Sequence, residues 1–255
     1  MKTRIGINGF GRIGRSVFRV LNSRDDIEIV AINDIFDKEA LTYLLKYDTV
    51  MGRFPSEVSL DGDMLKAGQQ NVKLIAERVP SELPWGELDV DIVVESTGIF
   101  RQREQLKQHL NAGCKKVVLT VPAKDAIDYT VVLGVNDSGL KSEHKIVSNA
   151  SCTTNCLAPM AKVLNENFGI QLGVINTILY MHTQTIKGLQ MYHTLIGEEV
   201  ELPPKMLYPL RLVLLGQLVL FFLSLMGSWM ELLCVYQYLM VQLLILMFNS
   251  TQTLL

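Results

Sequence analysis

At 255 residues and a formal net charge of −2, the chain is long enough to bury one large core or two ordinary ones, and it has no basic field to draw in nucleic acid. Four cysteines are too few for a disulfide framework at this length, and the N-terminus runs straight into Lys2-Thr3-Arg4-Ile5 without the pattern of a signal peptide. A reducing, cytoplasmic setting is therefore expected.

Arg4–Asn8 reads as a short apolar strand, and Gly9-Phe10-Gly11-Arg12-Ile13-Gly14 follows it at once. An amphipathic run, Arg15–Leu21, predicts a helix, and a second apolar strand, Ile27–Ile32, ends in Asn33-Asp34. In a strand–turn–helix of this kind each glycine has a job. Gly9 permits the tight turn, Gly11 lets a pyrophosphate approach the backbone, and Gly14 lets helix and strand pack closely. The helix start then offers N–H donors to phosphates. Asp34 lies twenty residues beyond Gly14, where a dinucleotide fold needs a carboxylate for the adenosine ribose hydroxyls. A carboxylate there repels a 2′-phosphate, so NAD is favoured over NADP.

Further along, Val90–Glu95 and Lys116–Val121 are β-branched apolar runs of buried-strand type. The first ends in Ser96-Thr97-Gly98 and the second in Pro122-Ala123-Lys124. Ligands of open α/β sheets bind at the carboxyl ends of strands, which makes both loops cofactor-site candidates. On the residues alone, Thr97 and Thr120 serve equally well as strand-end caps. Trp85, Tyr47 and Phe100 read as core or interface. A doubly wound, Rossmann-type α/β domain over residues 1–150 is the expected architecture.

Cys152 stands where a polar loop gives way to the apolar-periodic run Leu157–Phe168. A thiol at a helix N-terminus feels unpaired backbone N–H groups and the positive end of the macrodipole, and both favour the nucleophilic thiolate. Cys156 follows four residues later on the same side of the helix. No second ligand pair accompanies the two, so no metal site is expected, and Cys156 and Cys114 read as buried structural thiols.

The nonapeptide Ser148–Cys156 (Ser-Asn-Ala-Ser-Cys-Thr-Thr-Asn-Cys) resembles the active-site signature of the phosphorylating glyceraldehyde-3-phosphate dehydrogenases. Gly6–Gly14, Leu44–Thr49, Glu95–Gly98 and Pro122–Lys124 resemble other stretches of the same family, and the likeness covers residues 1–178 almost continuously. The resemblance implies that Arg12 and Ile13 offer backbone to the pyrophosphate, that Asp34 holds the ribose and that Arg78 lies near the adenine. Thr97 and Gly98 would line the cofactor site, and Thr120 would sit near the nicotinamide, where the family more often has serine. Ser151 and Thr153 would bind phosphate oxygens, with Cys152 as nucleophile. The implied substrates are glyceraldehyde 3-phosphate and inorganic phosphate, and the implied assembly is a homotetramer. An erythrose-4-phosphate dehydrogenase shares the cysteine signature and is the nearest enzyme alternative.

Chemistry explains these residue types independently. An aldehyde cannot release hydride to NAD until a nucleophile adds to it. The Cys152 thiolate can form a thiohemiacetal that collapses to a thioester as hydride leaves, and phosphate can then open the thioester.

After Ile178 the chain changes character. Only seven of its fifty charged side chains fall there, alanine stops at Ala161 and aspartate at Asp137. His182 and His193 are the only later histidines, and neither lies in the His-Ala-Tyr-Thr-Asn-Asp-Gln segment that the family's catalytic base occupies. A shifted codon frame explains this. Reading the last base of each codon with the first two of the next, the stretch from Tyr180/Met181 to Lys187/Gly188 permits the string HAYTNDQR. The remainder permits the rest of a catalytic domain, including Pro-Thr-Ser-Thr-Gly. Hidden alanine codons then supply the bases that read as leucine. On this reading residues 151–178 begin an α+β catalytic domain, and residues 179–255 are a frameshifted, non-native hydrophobic tail. The chain itself is expected to be catalytically crippled, without a basis for the tetramer. The rival reading of Leu212–Phe248, with its single charge Glu231, is a membrane anchor on a non-catalytic NAD-binding remnant. The residue-by-residue success of the frame reading argues against an evolved span, and leaves a segment prone to aggregation or membrane adhesion.

Overall fold

The computed structural model describes residues 2–48, 51–181, 234–237 and 240–249. It divides into two compact units, Met1–Asn155 and Cys156–Leu255.

The first unit opens with β1 (Thr3–Asn8), α1 (Arg12–Leu21) and β2 (Ile27–Asn33), followed by α2 (Lys38–Lys46). A two-residue pairing of β3 (Tyr47–Asp48) with β4 (Gly52–Arg53) leads to the strands β5 (Val58–Asp61), β6 (Met64–Ala67) and β7 (Gln70–Ile75). Then come β8 (Ile92–Glu95), α3 (Arg103–Asn111), β9 (Lys116–Leu119), β10 (Tyr129–Thr130) and β11 (Ile146–Ser148). Nine of these strands form one sheet in the order β10-β11-β9-β8-β1-β2-β7-β6-β5. Every pairing from β10 to β7 is parallel; only β7-β6 and β6-β5 are antiparallel.

The doubly wound α/β architecture is therefore the one the apolar runs predict. Burial on both faces is what makes those runs continuous. Val94 packs into a core with Ile5, Ile7, Phe10, Phe18 and Leu45 on one side. Its neighbour Val93 faces the other way, into a core with Trp85, Leu106, Val117 and Leu119. Helix α1 covers the first face through Phe18, whose ring meets Phe10 edge-on at 5.7 Å. Trp85 is fully buried and Phe100 packs against the second core, as expected of them, whereas Tyr47 is 41% exposed.

Two details differ from the sequence expectation. Helix α1 begins at Arg12, inside the glycine motif, because Gly11 already acts as its N-cap. The β5–β7 meander, with its alternating buried and exposed residues, extends the sheet beyond β2 and was not foreseen.

The chain runs out from β1 to β2 on one side and returns through β8 on the other. The strand order thus reverses between β1 and β8, and the crevice of an open α/β sheet lies at the carboxyl ends of those two strands.

Helix α4 (Cys152–Phe168) contains the boundary between the units. In the second unit β12 (Leu172–Met181) pairs antiparallel with β14 (Met240–Asn249), which pairs in turn with β13 (Cys234–Gln237). Most of the tail, including His182, His193 and the greater part of Leu212–Phe248, lies outside the described residues. Among the described residues no helix is long and apolar enough to cross a membrane.

Candidate active site

The glycine turn occupies the crevice between β1 and β8. Gly9 has φ of 90°, and a Cβ there would lie 2.6 Å from the Thr97 nitrogen, so both conformation and packing demand glycine. A Cβ on Gly14 would lie 2.1 Å from the Gly9 oxygen. Gly11 is different. Its φ of −70° and ψ of −158° suit any residue, and nothing lies within 4 Å of a Cβ built on it. Among the described residues nothing requires glycine there, which fits a ligand that approaches the backbone. As N-cap it supplies no side-chain hydrogen bond to the first turn of α1, where Arg12 and Ile13 sit. The Arg12 guanidinium itself turns to Asp48, at 3.4 Å.

Asp34 follows β2 at the same edge. Its Oδ2 accepts the Phe10 N–H at 2.6 Å and its Oδ1 the Phe36 N–H at 2.9 Å. Each oxygen keeps a second lone pair, so the carboxylate can brace the glycine turn and still accept hydroxyls. Arg78 is exposed in the loop after β7, and its backbone N–H donates to Glu77 Oε1 at 2.6 Å.

The loop after β8 forms the opposite wall. The Ser96 hydroxyl donates to the Gly9 carbonyl at 2.6 Å, tying the two loops together. The Thr97 N–H and hydroxyl both donate to Glu95 Oε1, and Gly98 turns the chain with φ of 73°. Thr120, just past β9, donates its hydroxyl to the Glu95 carbonyl at 3.1 Å. Thr97 and Thr120 thus do serve as strand-end caps, and they stand at the crevice while doing so.

The cysteine loop leaves β11 at the same sheet edge. Ser148 donates its hydroxyl to the Val121 carbonyl at 2.8 Å, and the Asn149 N–H bonds Leu119 at 3.0 Å. Ala150 then adopts φ of 56°, a left-handed backbone that costs a non-glycine residue roughly 1–3 kcal/mol. That turn delivers Cys152, partly buried, as the first residue of α4. Ser151 is the cap: its Oγ accepts the Thr154 N–H at 3.0 Å. It also lies 3.0 Å from the Thr153 hydroxyl and 2.7 Å from that of Thr154. Asn155 closes the loop by donating to the carbonyls of Asn149 and Ser151. Beside it an open cavity of about 390 Å³ is lined by Pro122, Ala123, Thr130, Ala150, Ser151 and Thr154.

The structure therefore brings Gly9, Gly11, Arg12, Ile13, Gly14, Asp34, Thr97, Gly98 and Thr120 to one edge of the sheet, with Ser151 ending the loop after β11 and Cys152 and Thr153 opening α4. Arg78 shares the edge with its side chain in the open. Thr154 escaped the sequence reading; the Ser-x-x-Thr spacing of a cap and its third residue was the available signal. Among the described side chains, the thiols of Cys114 and Cys156 differ sharply from Cys152 in setting. Burial pushes Cys114 up to about 12, and Cys156 is also buried.

Residues 3–103 match the NAD binding domain of glyceraldehyde 3-phosphate dehydrogenase, and residues 151–195 match its C-terminal domain. The glyceraldehyde-3-phosphate dehydrogenase of Streptomyces coelicolor is 52% identical over 189 residues, 73% of this chain and 56% of that protein. That of Geobacillus stearothermophilus is 52% identical over 191 residues, 74% and 57% of the two chains. The chain belongs to the glyceraldehyde-3-phosphate dehydrogenase family. A third member, from Mycobacterium bovis, is 51% identical over 191 residues, covering 72% of this chain and 56% of its own length. The chain thus spans little more than half the length of these relatives. NAD is the cofactor of the domain matched by residues 3–103, and the open backbone at Gly11, the first turn of α1 and the Asp34 carboxylate suit it. The C-terminal domain match runs to residue 195, past residue 178, where the likeness read from the sequence ends.

Proposed function

We propose that this chain carries the cofactor half and the nucleophile of a phosphorylating glyceraldehyde-3-phosphate dehydrogenase. The observation that supports this most is the position of Cys152, in the first turn of α4 and on the sheet edge that carries the glycine turn and Asp34. Arg12 and Ile13 offer first-turn backbone to the pyrophosphate, Asp34 accepts the ribose hydroxyls, and Arg78 covers the adenine. Thr97, Gly98 and Thr120 wall the nicotinamide end. The Cys152 sulfur adds to the aldehyde carbon of glyceraldehyde 3-phosphate, and the adduct becomes a thioester when it gives up hydride, for which NAD, once bound, would be the acceptor. Ser151 and Thr153 hold phosphate oxygens beside that carbon. Attack by inorganic phosphate on the thioester then breaks the C–S bond, returns the thiolate and releases the acyl phosphate.

The catalytic base is what the chain lacks in sequence. With no His-Ala-Tyr-Thr-Asn-Asp-Gln segment, the proton of the adding thiol and that of the thiohemiacetal hydroxyl have no dedicated acceptor, a loss of about 10²–10⁴-fold. We attribute the loss to a shifted frame near Ile178–Tyr180, with residues 151–178 as the start of the catalytic domain and 179–255 as displaced sequence. Neither the family's tetramer nor a full anion site is expected of such a chain, and its setting is the cytoplasm.

Sequencing the coding nucleic acid across codons 170–190 tests the frame reading, and an intact transcript with no alternative frame would sink it. Assays of the purified chain with glyceraldehyde 3-phosphate and erythrose 4-phosphate test the rest. NAD binding with turnover at least about 10²-fold below a full-length relative is expected. Near-normal turnover on either aldehyde would contradict the crippled reading, and preference for the four-carbon substrate would move the assignment to the erythrose enzyme.

A further inference from the structure

Beneath the crevice runs a buried polar chain that none of these roles uses. Trp85, Glu95 and His109 have no exposed surface, and Asn8 has almost none. The Trp85 indole N–H donates to His109 Nδ1 at 3.1 Å, and His109 Nε2 lies 3.0 Å from Glu95 Oε2. An indole N–H can only donate, so Nδ1 must present its lone pair, and the ring proton sits on Nε2, facing the carboxylate. The same Oε2 accepts the Asn8 side-chain N–H at 2.6 Å, while Oε1 takes the N–H and hydroxyl of Thr97. Four donors therefore converge on one fully buried carboxylate.

Such a group is expensive to bury, and an apolar side chain of similar size would often stabilise the core more. What the carboxylate uniquely does is join three segments. It fixes the end of β1, the turn after β8 and helix α3. Through Asn8 the joining continues. The Asn8 Oδ1 accepts Asn33 Nδ2 at 2.7 Å, and Asn33 holds both the N–H and the carbonyl of Glu77 at 2.8 Å. The loops that follow these fixed points carry Gly9–Gly14, Asp34, Arg78 and Thr97–Gly98. The Thr97 turn also sits hard against Gly9, so a small movement of Thr97 changes the room above the glycine turn.

We propose that Glu95 is a positioning residue for the dinucleotide: held from behind by Trp85 and His109, it sets the Thr97 turn and the β1 end at the spacing the cofactor needs. This rests on the NAD-binding reading. The substitution Glu95→Gln keeps the shape but offers one acceptor oxygen and one NH₂, so an N–H donor now faces either the Thr97 N–H or the Asn8 and His109 donors. His109→Gln retains an acceptor for Trp85 and a donor for Glu95, whereas His109→Leu removes both.

The test uses the full chain and two readouts. NAD affinity, by calorimetry, is expected to fall about tenfold or more in Glu95→Gln and His109→Leu, and to stay within about threefold in His109→Gln. Amide hydrogen exchange at Thr97–Ile99 is expected to quicken in the first two variants while β1 and β9 keep their protection. A purely structural role would lower thermal stability and leave both NAD affinity and exchange at Thr97–Ile99 unchanged; that result would overturn the proposal. Equal behaviour of His109→Gln and His109→Leu would overturn it as well. If Glu95→Gln does not fold, the two His109 variants decide. If the parent chain binds no NAD, the cofactor reading fails, and the exchange pattern alone still tells whether Glu95 fixes the turn.

Discussion

Gly11 and Gly14 lie three residues apart in one turn, and the space around them differs. A methyl at position 14 meets the Gly9 carbonyl at 2.1 Å, and backbone must move to admit it. At position 11 it meets nothing and the backbone angles permit it. Gly14→Ala is therefore expected to cost about 1–3 kcal/mol of stability, as overpacking does. Gly11→Ala should leave the denaturation midpoint where it is and weaken NAD binding. Titration of both variants with NAD beside urea melts separates the cases, and a stable, tightly binding Gly11→Ala would remove the pyrophosphate from that turn. The thiols make a second residue-scale contrast. Burial holds Cys114 at about 12, so it stays a protonated, enclosed thiol at neutral pH. Cys152 is only partly buried in the first turn of α4. Brief iodoacetamide treatment of the native chain should label Cys152 and spare Cys114, read by peptide mass spectrometry. Comparable labelling of the two would contradict the active-site reading.

Elements at the far edge of the sheet depend on one carboxylate. Asp128 precedes β10 and accepts the backbone N–H groups of Lys145 and Ile146 at the start of β11, and it pairs with Arg103 at the start of α3. Burial alone would raise its pKa, but the two N–H donors and the guanidinium outweigh that and hold it at about 2. Because the folded value lies below the unfolded one, the stabilisation is full above about pH 5 and fades as pH falls through about 2. Asp128→Asn should then cost about 1–2 kcal/mol at pH 7 and almost nothing near pH 2. Urea unfolding at both pH values checks this, and an equal gap at the two would assign the effect to shape rather than charge. These elements also mark how far sequence reaches. The strands β1, β2, β8 and β9 were legible because burial on both faces writes them as unbroken apolar runs. Strands β5–β7 went unread because one face is solvated and their short alternating segments carry lysine, glutamine and aspartate. The glycine turn and Cys152 were legible because their chemistry is local. The roles of Glu95 and His109 were not, since their meeting depends on β8 and α3 lying against each other.

At the scale of the whole molecule, the doubly wound unit has what an independently folding domain needs. It carries a core on each sheet face, and its crevice lies at the β1–β8 switch point within Met1–Asn155. Every residue named at that crevice falls within Met1–Asn155. Residues 1–150, expressed alone, should therefore fold cooperatively and bind NAD within about tenfold of the full chain, without turnover because Cys152 and the base are absent. On the frame shift proposed above, restoring the other frame in the gene should do the reverse, leaving NAD affinity near its starting value while turnover rises by about 10²-fold or more. The pair of measurements separates binding from chemistry. If the isolated domain fails to fold, the sheet needs the second unit for stability. If the restored frame gains no turnover, the tail is not a displaced catalytic domain, and the missing base must be sought among residues the chain already has.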